Sequence, residues 1–212
     1  MTDAGGKLRY DEGCLGAHAL NVMGDRWALL VVRELIFTSK RFQMLRAGMP
    51  GITASVLTQR LTQLREAGVV HHDERLGIYA LTDLGRGLMP VLESLCQWAL
   101  TLPGHDPTRF ISPSSLMISM RVALKQPGEA LAGFDFGAEA FQVRVTGTGL
   151  HTQAVATPKA PFILKGSGNA MAFTLYGPAP LIDMIAQGAV SAEGDLAAAQ
   201  YFIDRFRLDR TP

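Results

Sequence analysis

The chain has few of the residues that support catalysis, metal binding or membrane insertion. Its 212 residues include only two cysteines, Cys14 and Cys96, and their spacing is not that of a metal site. No GxxxxGK[ST], HExxH or GxSxG motif is present, and the adjacent His71 and His72 would point to opposite faces of a strand. There is neither a signal peptide pattern nor an apolar run of about eighteen residues. We therefore expect no catalytic residue, metal, cofactor or membrane partner, and a reducing cytoplasm as the location.

Charge is nearly balanced over the whole chain but not along it. The net charge of +1 is small for a nucleic-acid-binding protein. Between Arg26 and Arg65, however, seven lysines and arginines face a single carboxylate, Glu34, which leaves a local charge of +6. Because basic side chains that neutralise phosphates supply most of the non-specific affinity for DNA, this window is where DNA contact is expected.

One segment has the pattern of a DNA-reading helix. Leu57, Leu61 and Leu64 form a narrow apolar stripe. The opposite side carries hydrogen-bonding residues: Ser55, Thr58, Gln59, Thr62 and Gln63. Thr53 is placed to cap the N-terminus and Gly68 to end the helix, which predicts a helix from Ala54 to Ala67. An ordinary amphipathic surface helix would have the same pattern, so the flanking segments have to decide.

Those flanking segments predict a winged helix. Two short strand-like runs, residues 69–71 and 78–81, indicate a hairpin directly after the polar helix. A long helix is expected to begin at Thr82 and to continue to Leu102. Upstream, Asp25 can cap a helix from Trp27 to Leu35 that is apolar on nearly every side and serves as scaffold, with Trp27 as a core anchor rather than a stacking residue. This order of elements is that of a helix-turn-helix variant with a wing.

Several spaced motifs resemble the HxlR-type winged-helix regulators over residues 10–100. They are Cys14, the GDRW turn at 24–27, the RF pair at 41–42, the PGI turn at 50–52, the QRL core at 59–61, the YxLT strand end at 79–82 and Trp98. The resemblance implies a dimeric DNA-binding regulator. It also implies that Cys14 is a candidate thiol sensor, because several members use a cysteine at this position; the alternative is a small buried apolar residue. The wing is several residues shorter than is usual in that family.

The DNA-binding candidates follow from the polar face and the basic residues. Gln59 is the best candidate for reading adenine, and Arg41 could reach a phosphate. Arg60 adjoins the apolar stripe, so it could contact DNA or instead hold the backbone or a carboxylate. The full predicted set is Arg41, Thr53, Ser55, Thr58, Gln59, Arg60, Thr62 and Arg75.

The second half of the chain predicts a separate domain. A proline-containing segment, residues 102–115, suits a connection, and we place domains at 1–106 and 107–212. The runs FDFGA, AFQVRVT, LHTQAVA, PFILKG and AMAFTLYG are expected to be strands. Residues 114–125, PAPLIDMIAQG and DLAAAQYFIDRF are expected to be helices. The predicted fold class is α+β: an N-terminal winged helix-turn-helix followed by a sterol-carrier-like sheet-and-helix domain.

The end of the chain resembles sterol-carrier-protein-2-like domains. The segment QGAVSAEGD, at Gln187 to Asp195, carries most of that resemblance, which covers residues 114–208. It implies an apolar tunnel for a hydrophobic molecule, whereas a solid core would use the same residue types. The predicted ligand-binding residues are Phe136, Phe141, Phe173, Leu181, Met184, Ile185 and Phe202.

These observations together predict a transcription regulator that binds double-stranded DNA as a homodimer. The first helix and the long helix are expected to pair the protomers, and a hydrophobic small-molecule effector is expected in the second domain. Two alternatives stay open: a lipid or small-molecule carrier whose winged helix serves only for dimerisation, and a redox sensor acting through Cys14. The sequence specifies neither the operator, nor the effector, nor whether the regulator represses or activates.

Overall fold

The computed structural model describes residues 10–208, which form two compact units on either side of the Met89–Pro90 bond. The first unit contains five helices and three strands among its described residues. In chain order they are α1 (Leu15–Met23), α2 (Ala28–Leu35), β1 (Lys40–Arg41), α3 (Phe42–Ala47), α4 (Ala54–Glu66), β2 (Val70–Asp73), β3 (Ile78–Leu81) and α5 (Asp83–Arg86).

The predicted reading helix and hairpin are present. Helix α4 begins at Ala54, and the Thr53 hydroxyl accepts the N–H of Val56 at 3.3 Å. Gly68 follows the helix with a φ of +71°, a conformation that glycine adopts at little cost. Strands β2 and β3 pair antiparallel, from Val70 opposite Leu81 to Asp73 opposite Ile78. β1 pairs with the other edge of β3, so the sheet order is β1-β3-β2.

A buried ion cluster lies in the core of this unit. The Glu34 carboxylate is fully buried and contacts the Lys40 ammonium at 3.0 Å and the Arg33 guanidinium at 2.8 Å. Arg33 also donates to the carbonyl oxygen of Gly48 at 2.9 Å. A Cβ atom at Gly48 would lie 2.3 Å from a Glu34 carboxylate oxygen, so a larger residue there would displace the carboxylate from its cations. The cluster joins α2, β1 and the end of α3 into one frame.

The single long helix predicted from Thr82 to Leu102 is wrong in its continuity. The Thr82 hydroxyl does cap a helix, by accepting the N–H of Gly85 at 3.2 Å, but α5 ends at Arg86. A new helix, α6 (Met89–Ala99), begins after two intervening residues. Pro90 accounts for the break, because it has no N–H for the Arg86 carbonyl and its ring would clash there, whereas proline is tolerated in the first turn of a helix.

The second unit is a five-stranded mixed sheet with helices. After α6 come α7 (Pro113–Ala123), β4 (Ala130–Asp135), β5 (Ala140–Thr146), β6 (Gly149–Ala154), β7 (Phe162–Lys165), α8 (Gly168–Tyr176), α9 (Leu181–Ala186), β8 (Ser191–Gly194) and α10 (Leu196–Ile203). The sheet order is β6-β5-β4-β7-β8. Only the β4–β7 pair is parallel, and the other neighbours are antiparallel.

Two segments of this unit differ from the predicted secondary structure. The run AMAFTLYG forms α8 and not a strand, because the Ser167 hydroxyl accepts the N–H of Ala170 and caps a helix. The segment QGAVSAEGD, which resembles sterol-carrier domains, contains a strand, β8, at the edge of the sheet. Gly194 closes β8 with a φ of +91°, and a Cβ there would lie 2.2 Å from the Pro161 carbonyl oxygen. The close approach of the Pro161 carbonyl and the positive φ therefore explain why a glycine stands at position 194.

The core of the second unit is built around aromatic rings. The Phe202 ring lies 5.7 Å from Phe162, 6.1 Å from Phe134 and 5.0 Å from Phe206, as measured between ring centroids. α10 thereby packs on β4 and β7. Within residues 10–208, no helix is long and apolar enough to cross a membrane.

Candidate DNA-binding surface

Helix α4 is fixed by its inward face and presents its polar face to solvent. Leu57, Leu61 and Leu64 are at most 2% exposed. At about 25 cal/mol per Å² of apolar surface, three buried leucines are a substantial fraction of the stability of a small unit. The helix therefore cannot rotate about its axis without exposing them.

The exposed face carries uncharged hydrogen-bonding groups. Ser55, Gln59 and Thr62 are exposed, as the sequence predicts. Thr53 and Thr58 are exposed too. The hydroxyls of Thr53, Ser55 and Thr58 have local partners: Thr53 caps the helix, the Ser55 hydroxyl lies 3.1 Å from that of Thr53, and Thr58 donates to the Ala54 carbonyl at 2.9 Å. The methyl group of Thr58 is thus left for an apolar contact of the kind that reads a thymine methyl.

Of the two roles that the sequence leaves open for Arg60, the structure shows the second: the side chain holds a carboxylate. Its side chain is only 10% exposed, and its Nε lies 3.0 Å from a carboxylate oxygen of Asp25. The Nε–H is not aligned for a hydrogen bond, so the contact is electrostatic. Arg60 also donates to the side chain of Gln63. The guanidinium therefore ties α4 to the turn before α2, and we assign it to the scaffold.

Only some of the basic residues between Arg26 and Arg65 are exposed. Arg33 and Lys40 bind Glu34, and Arg60 pairs with Asp25. The exposed members of the window are Arg26, Arg41, Arg46 and Arg65. Arg26 lies over the Trp27 ring, 4.9 Å from its centroid. Four arginines of this window, together with Arg75 in the hairpin, are thus available to contact DNA phosphates.

The hairpin tip is a short, ordered turn. Asp73 accepts the N–H of Leu76 at 3.0 Å through its side chain and that of Gly77 at 2.8 Å through its carbonyl. Gly77 has a φ of +63°. Arg75 lies exposed at the tip, and the His72 and Tyr79 rings stack 4.2 Å apart behind it. The turn presents one arginine in a defined position.

A polar hollow lies beside the reading helix, and the predicted site residues included only one of its members. It has a volume of about 530 Å³ and is lined by Thr62, Arg65, Glu66, Val70, His71 and His72. Arg65 and His71 are both exposed there. Their signal in the sequence was a basic residue in the last turn of the polar helix and a histidine on the adjoining strand.

Cys14 lies at the N-cap of α1 and is fully exposed to solvent. The backbone amides of Ala17 and, to a smaller extent, Gly16 donate toward its sulfur and hold the pKa of the Cys14 thiol below its usual value. The second cysteine, Cys96, is half-buried on α6. The two thiols therefore differ in access.

The residues predicted to line a tunnel do not share one environment. Phe141, Leu181, Met184 and Phe202 are buried, whereas Phe136 and Ile185 are half-buried. Phe173 faces solvent on α8, and Phe136 packs edge-on against Phe141 at 6.0 Å. A cavity of about 400 Å³ does lie in the second unit, but none of the seven residues lines it.

Comparison with known proteins places the first part of the chain in a family. Residues 22–105 match the model of the HxlR-like helix-turn-helix family. YvaP, an uncharacterized HTH-type transcriptional regulator of Bacillus subtilis, is 35% identical over 104 residues, which are 46% of this chain and 88% of YvaP. The chain belongs to the HxlR-like helix-turn-helix family.

Other similarities cover the same part of this HxlR-like chain. YdeP, another uncharacterized HTH-type transcriptional regulator of Bacillus subtilis, is 34% identical over 92 residues, 41% of this chain and 72% of YdeP. A solved structure, quinone-bound YodB from B. subtilis, is 30% identical with a TM-score of 0.36, and covers 39% of this chain and 91% of YodB. These relatives are transcriptional regulators, and their similarity covers less than half of the HxlR-like chain.

The different environments of Arg41 and Arg60 lead to a test. We expect Arg41→Gln to leave the melting temperature near that of the wild type and to reduce the slope of log K against log salt by about 0.9 for each phosphate that is no longer neutralised. Arg60→Met should lower the melting temperature, because it leaves the Asp25 carboxylate without its cation. Thermal melts and salt titrations of DNA binding measure both effects. If Arg60→Met kept the melting temperature and lowered the salt slope instead, the assignment of Arg60 to the scaffold would be wrong.

Proposed function

We propose that this HxlR-like protein is a transcription regulator that reads the major groove of double-stranded DNA with α4. The observation that carries the proposal is the orientation of α4: three buried leucines and the Arg60–Asp25 pair fix its inner side. A polar face is left outward that is uncharged from Ser55 to Thr62, and Arg65 and Glu66 are exposed in the last turn. A recognition helix contacts base edges through donors and acceptors in its N-terminal part, where α4 carries no carboxylate.

The exposed residues divide into two roles in this proposal. Gln59 and Ser55 donate to and accept from base edges, and the Thr58 methyl packs against a thymine methyl. Arg41 at the start of α3 and Arg75 at the hairpin tip contact phosphates. Thr53 caps α4, so that the first amides of the helix face the DNA phosphate backbone. Thr62 contacts the edge of the groove near Arg65.

The reading-helix proposal is tested with the double variant Thr58→Ala/Gln59→Ala. We expect specific binding to the protein's own promoter DNA to weaken by about 1–3 kcal/mol for each base that the variant no longer reads, since alanine leaves the base edges without partners. Mobility shifts on specific and scrambled duplexes separate the loss of specificity from general weakening.

The matched control is Gln153→Ala, an exposed glutamine on β6 in the second unit. It should bind DNA like the wild type. Wild-type affinity and specificity in the double variant would contradict the proposal that α4 reads the major groove. Failure of the wild-type protein to bind any promoter duplex would favour the alternative function, a small-molecule carrier whose winged helix serves for assembly.

We propose further that the regulator is a homodimer. Support comes from a row of exposed apolar side chains on α6 and just after it, Val91, Leu95, Trp98 and Leu102, and from Leu15 and Leu20 on α1. Trp98 is 60% exposed and Leu15 is 87% exposed. Such apolar rows are unfavourable in water and typical of interfaces between copies. Two protomers would place two copies of α4 about one DNA turn apart.

Light scattering tests the dimer. At micromolar concentration the wild type should have the mass of two chains, and Leu95→Glu/Trp98→Glu should have the mass of one, because buried carboxylates without partners oppose association. Leu84→Glu, a change of another exposed leucine outside the row, should stay dimeric. A wild-type monomer, or a dimer that survives the double change, would contradict this interface.

Control by a hydrophobic effector in the second domain, residues 107–212, is the next part of the proposal. Support comes from the sheet-and-helix architecture and the sterol-carrier-like QGAVSAEGD segment. The second unit also holds a cavity of about 400 Å³, but most of its lining, residues 96–105, precedes this domain. The proposed effector acts by binding one arrangement of the regulator better than another, since only differential affinity can shift a conformational equilibrium. We propose a regulatory and not an enzymatic role for this domain.

A second candidate function is redox sensing through Cys14. The supporting observation is local: the thiol is exposed and its pKa is lowered by the amides at the start of α1. A larger thiolate fraction at neutral pH raises the rate of reaction with oxidants and electrophiles. Oxidation at α1 would act on the helix that we propose as part of the dimer interface.

The two cysteines provide their own control. At pH 7, Cys96→Ser, which keeps Cys14, should react with iodoacetamide faster than Cys14→Ser, and its rate should level off at a pH below the usual cysteine pKa of about 8.5. Diamide should change DNA affinity in Cys96→Ser and not in Cys14→Ser. Equal responses of both variants to diamide would assign Cys14 to a role without sensing.

A further inference from the structure

The cavity of about 400 Å³ lies entirely within the second unit and has a defined set of walls. The walls come from the C-terminal end of α6, from residues 100–105, from α7 and from Leu208. They consist of Cys96, Ala99, Leu100, Leu102, Pro103, Gly104, His105, Ser119, Val122 and Leu208. The volume lies within the range of small-molecule sites, about 300–1,000 Å³.

The chemistry of these walls is apolar, with one polar side. No lysine, arginine or carboxylate is among the ten residues. Cys96, Ser119 and the exposed His105 supply polar side-chain atoms, and the Ser119 hydroxyl lies 2.7 Å from the Tyr176 hydroxyl. Burial raises the pKa of Tyr176 far above its usual value, so its phenol stays neutral. A mostly apolar lining disfavours a charged occupant, because the described lining residues offer a desolvated charge no lysine, arginine or carboxylate as a counter-ion.

The polar side of the cavity is held in place from behind. Ser119 donates to the Leu116 carbonyl at 2.9 Å, which fixes its rotamer, and the hydroxyl of the half-buried Tyr176 reaches it from α8. α6 is attached to α7 by the Glu93–Arg121 ion pair, and Arg121 also donates to the Leu150 carbonyl of β6. The walls from α6 and α7 are therefore preformed.

We propose that this cavity binds a small, uncharged aromatic or alicyclic molecule whose one polar group faces Cys96 and Ser119. The inference rests on the effector control proposed above and relocates its site away from Met184 and Ile185. The occupant would contact α6 on the side next to the exposed row of Val91, Leu95 and Trp98. One helix would then contact the effector and the partner protomer, which links occupancy to assembly.

The test uses full-length protein and the neutral probe N-phenyl-1-naphthylamine, whose fluorescence rises in an apolar site. Wild-type protein should bind it saturably with one site per chain. Ala99→Trp and Val122→Trp, which fill the cavity from two sides, should weaken binding at least tenfold. Ile182→Trp, on an exposed face of α9, is the matched control and should bind like the wild type. Circular dichroism confirms that each variant is folded.

The variant Ile185→Trp separates this site from the tunnel predicted from the sequence. Loss of binding in Ile185→Trp with retention in Ala99→Trp and Val122→Trp would overturn the placement. No saturable binding by the wild type would overturn the proposal as a whole. Mobility shifts on wild-type protein without probe test the DNA-binding function separately, so the two proposals can fail independently.

A second readout uses the thiol in the wall. In Cys14→Ser protein, saturating probe should slow the alkylation of Cys96 at least fivefold, because the occupant covers its sulfur. An unchanged rate in the presence of bound probe would place the probe elsewhere and contradict the site. A slowed rate that disappears in Ala99→Trp would support it.

Discussion

The burial of one side of α4 is the constraint on which the rest of the first unit depends. Leu57, Leu61 and Leu64 have to be covered, and α2 with the hairpin covers them. Arg60 lies on the same inward side and is held by Asp25 from the turn before α2. Once these contacts form, the rotation of α4 about its axis is fixed. Ser55, Gln59 and Thr62 then point outward as a consequence of the packing.

Buried charge has a similar organising effect on the frame around α4. Glu34 brings together Lys40 on β1 and Arg33 on α2, and through Arg33 the Gly48 carbonyl after α3. An isolated buried carboxylate would be strongly destabilising, so the cluster forms together or not at all. The same cluster explains why a locally basic sequence gives a more modest basic surface. Affinity for DNA should accordingly depend on a few phosphate contacts and on base edges, as is reasonable for a chain with a net charge of +1.

Helix α6 connects the proposals on assembly and on effector binding. Its exposed row has the character of an interface, and its neighbouring side forms a cavity wall beside Cys96. A molecule in the cavity would stabilise the end of α6 and the segment that follows it. In this account the effector and the partner protomer act on one structural element, which is a short physical route for coupling.

Local patterns predicted much of the winged helix because its signals are local. The stripe on α4, the Thr53 cap and Gly68 each act over a few residues, and the structure agrees with them. The inward turn of Arg60 depends on Asp25, thirty-five positions away in the chain, and periodicity carries no information on such a pair.

The second unit is harder to predict because contacts beyond the local pattern decide its structure. Residues 170–177 are rich in strand-favouring types, but the Ser167 cap and the neighbours of the segment select a helix. Strand β8 is short and built of small, mostly exposed residues, so only its pairing with β7 makes it a strand. The cavity lies where residues 96–105 meet α7 and Leu208, and periodicity carries no information on such a contact between elements. Aromatic content directed the prediction to other residues, four of which are buried in the core.

Site-directed cross-linking from α4 tests the central claim most directly. A photoreactive residue at position 59 should cross-link to promoter DNA at two symmetric positions about one helical turn apart, and the same residue at position 182 should not cross-link. That result would place two copies of α4 in successive major grooves. Cross-links from position 182 and none from position 59 would contradict the claim that α4 reads DNA.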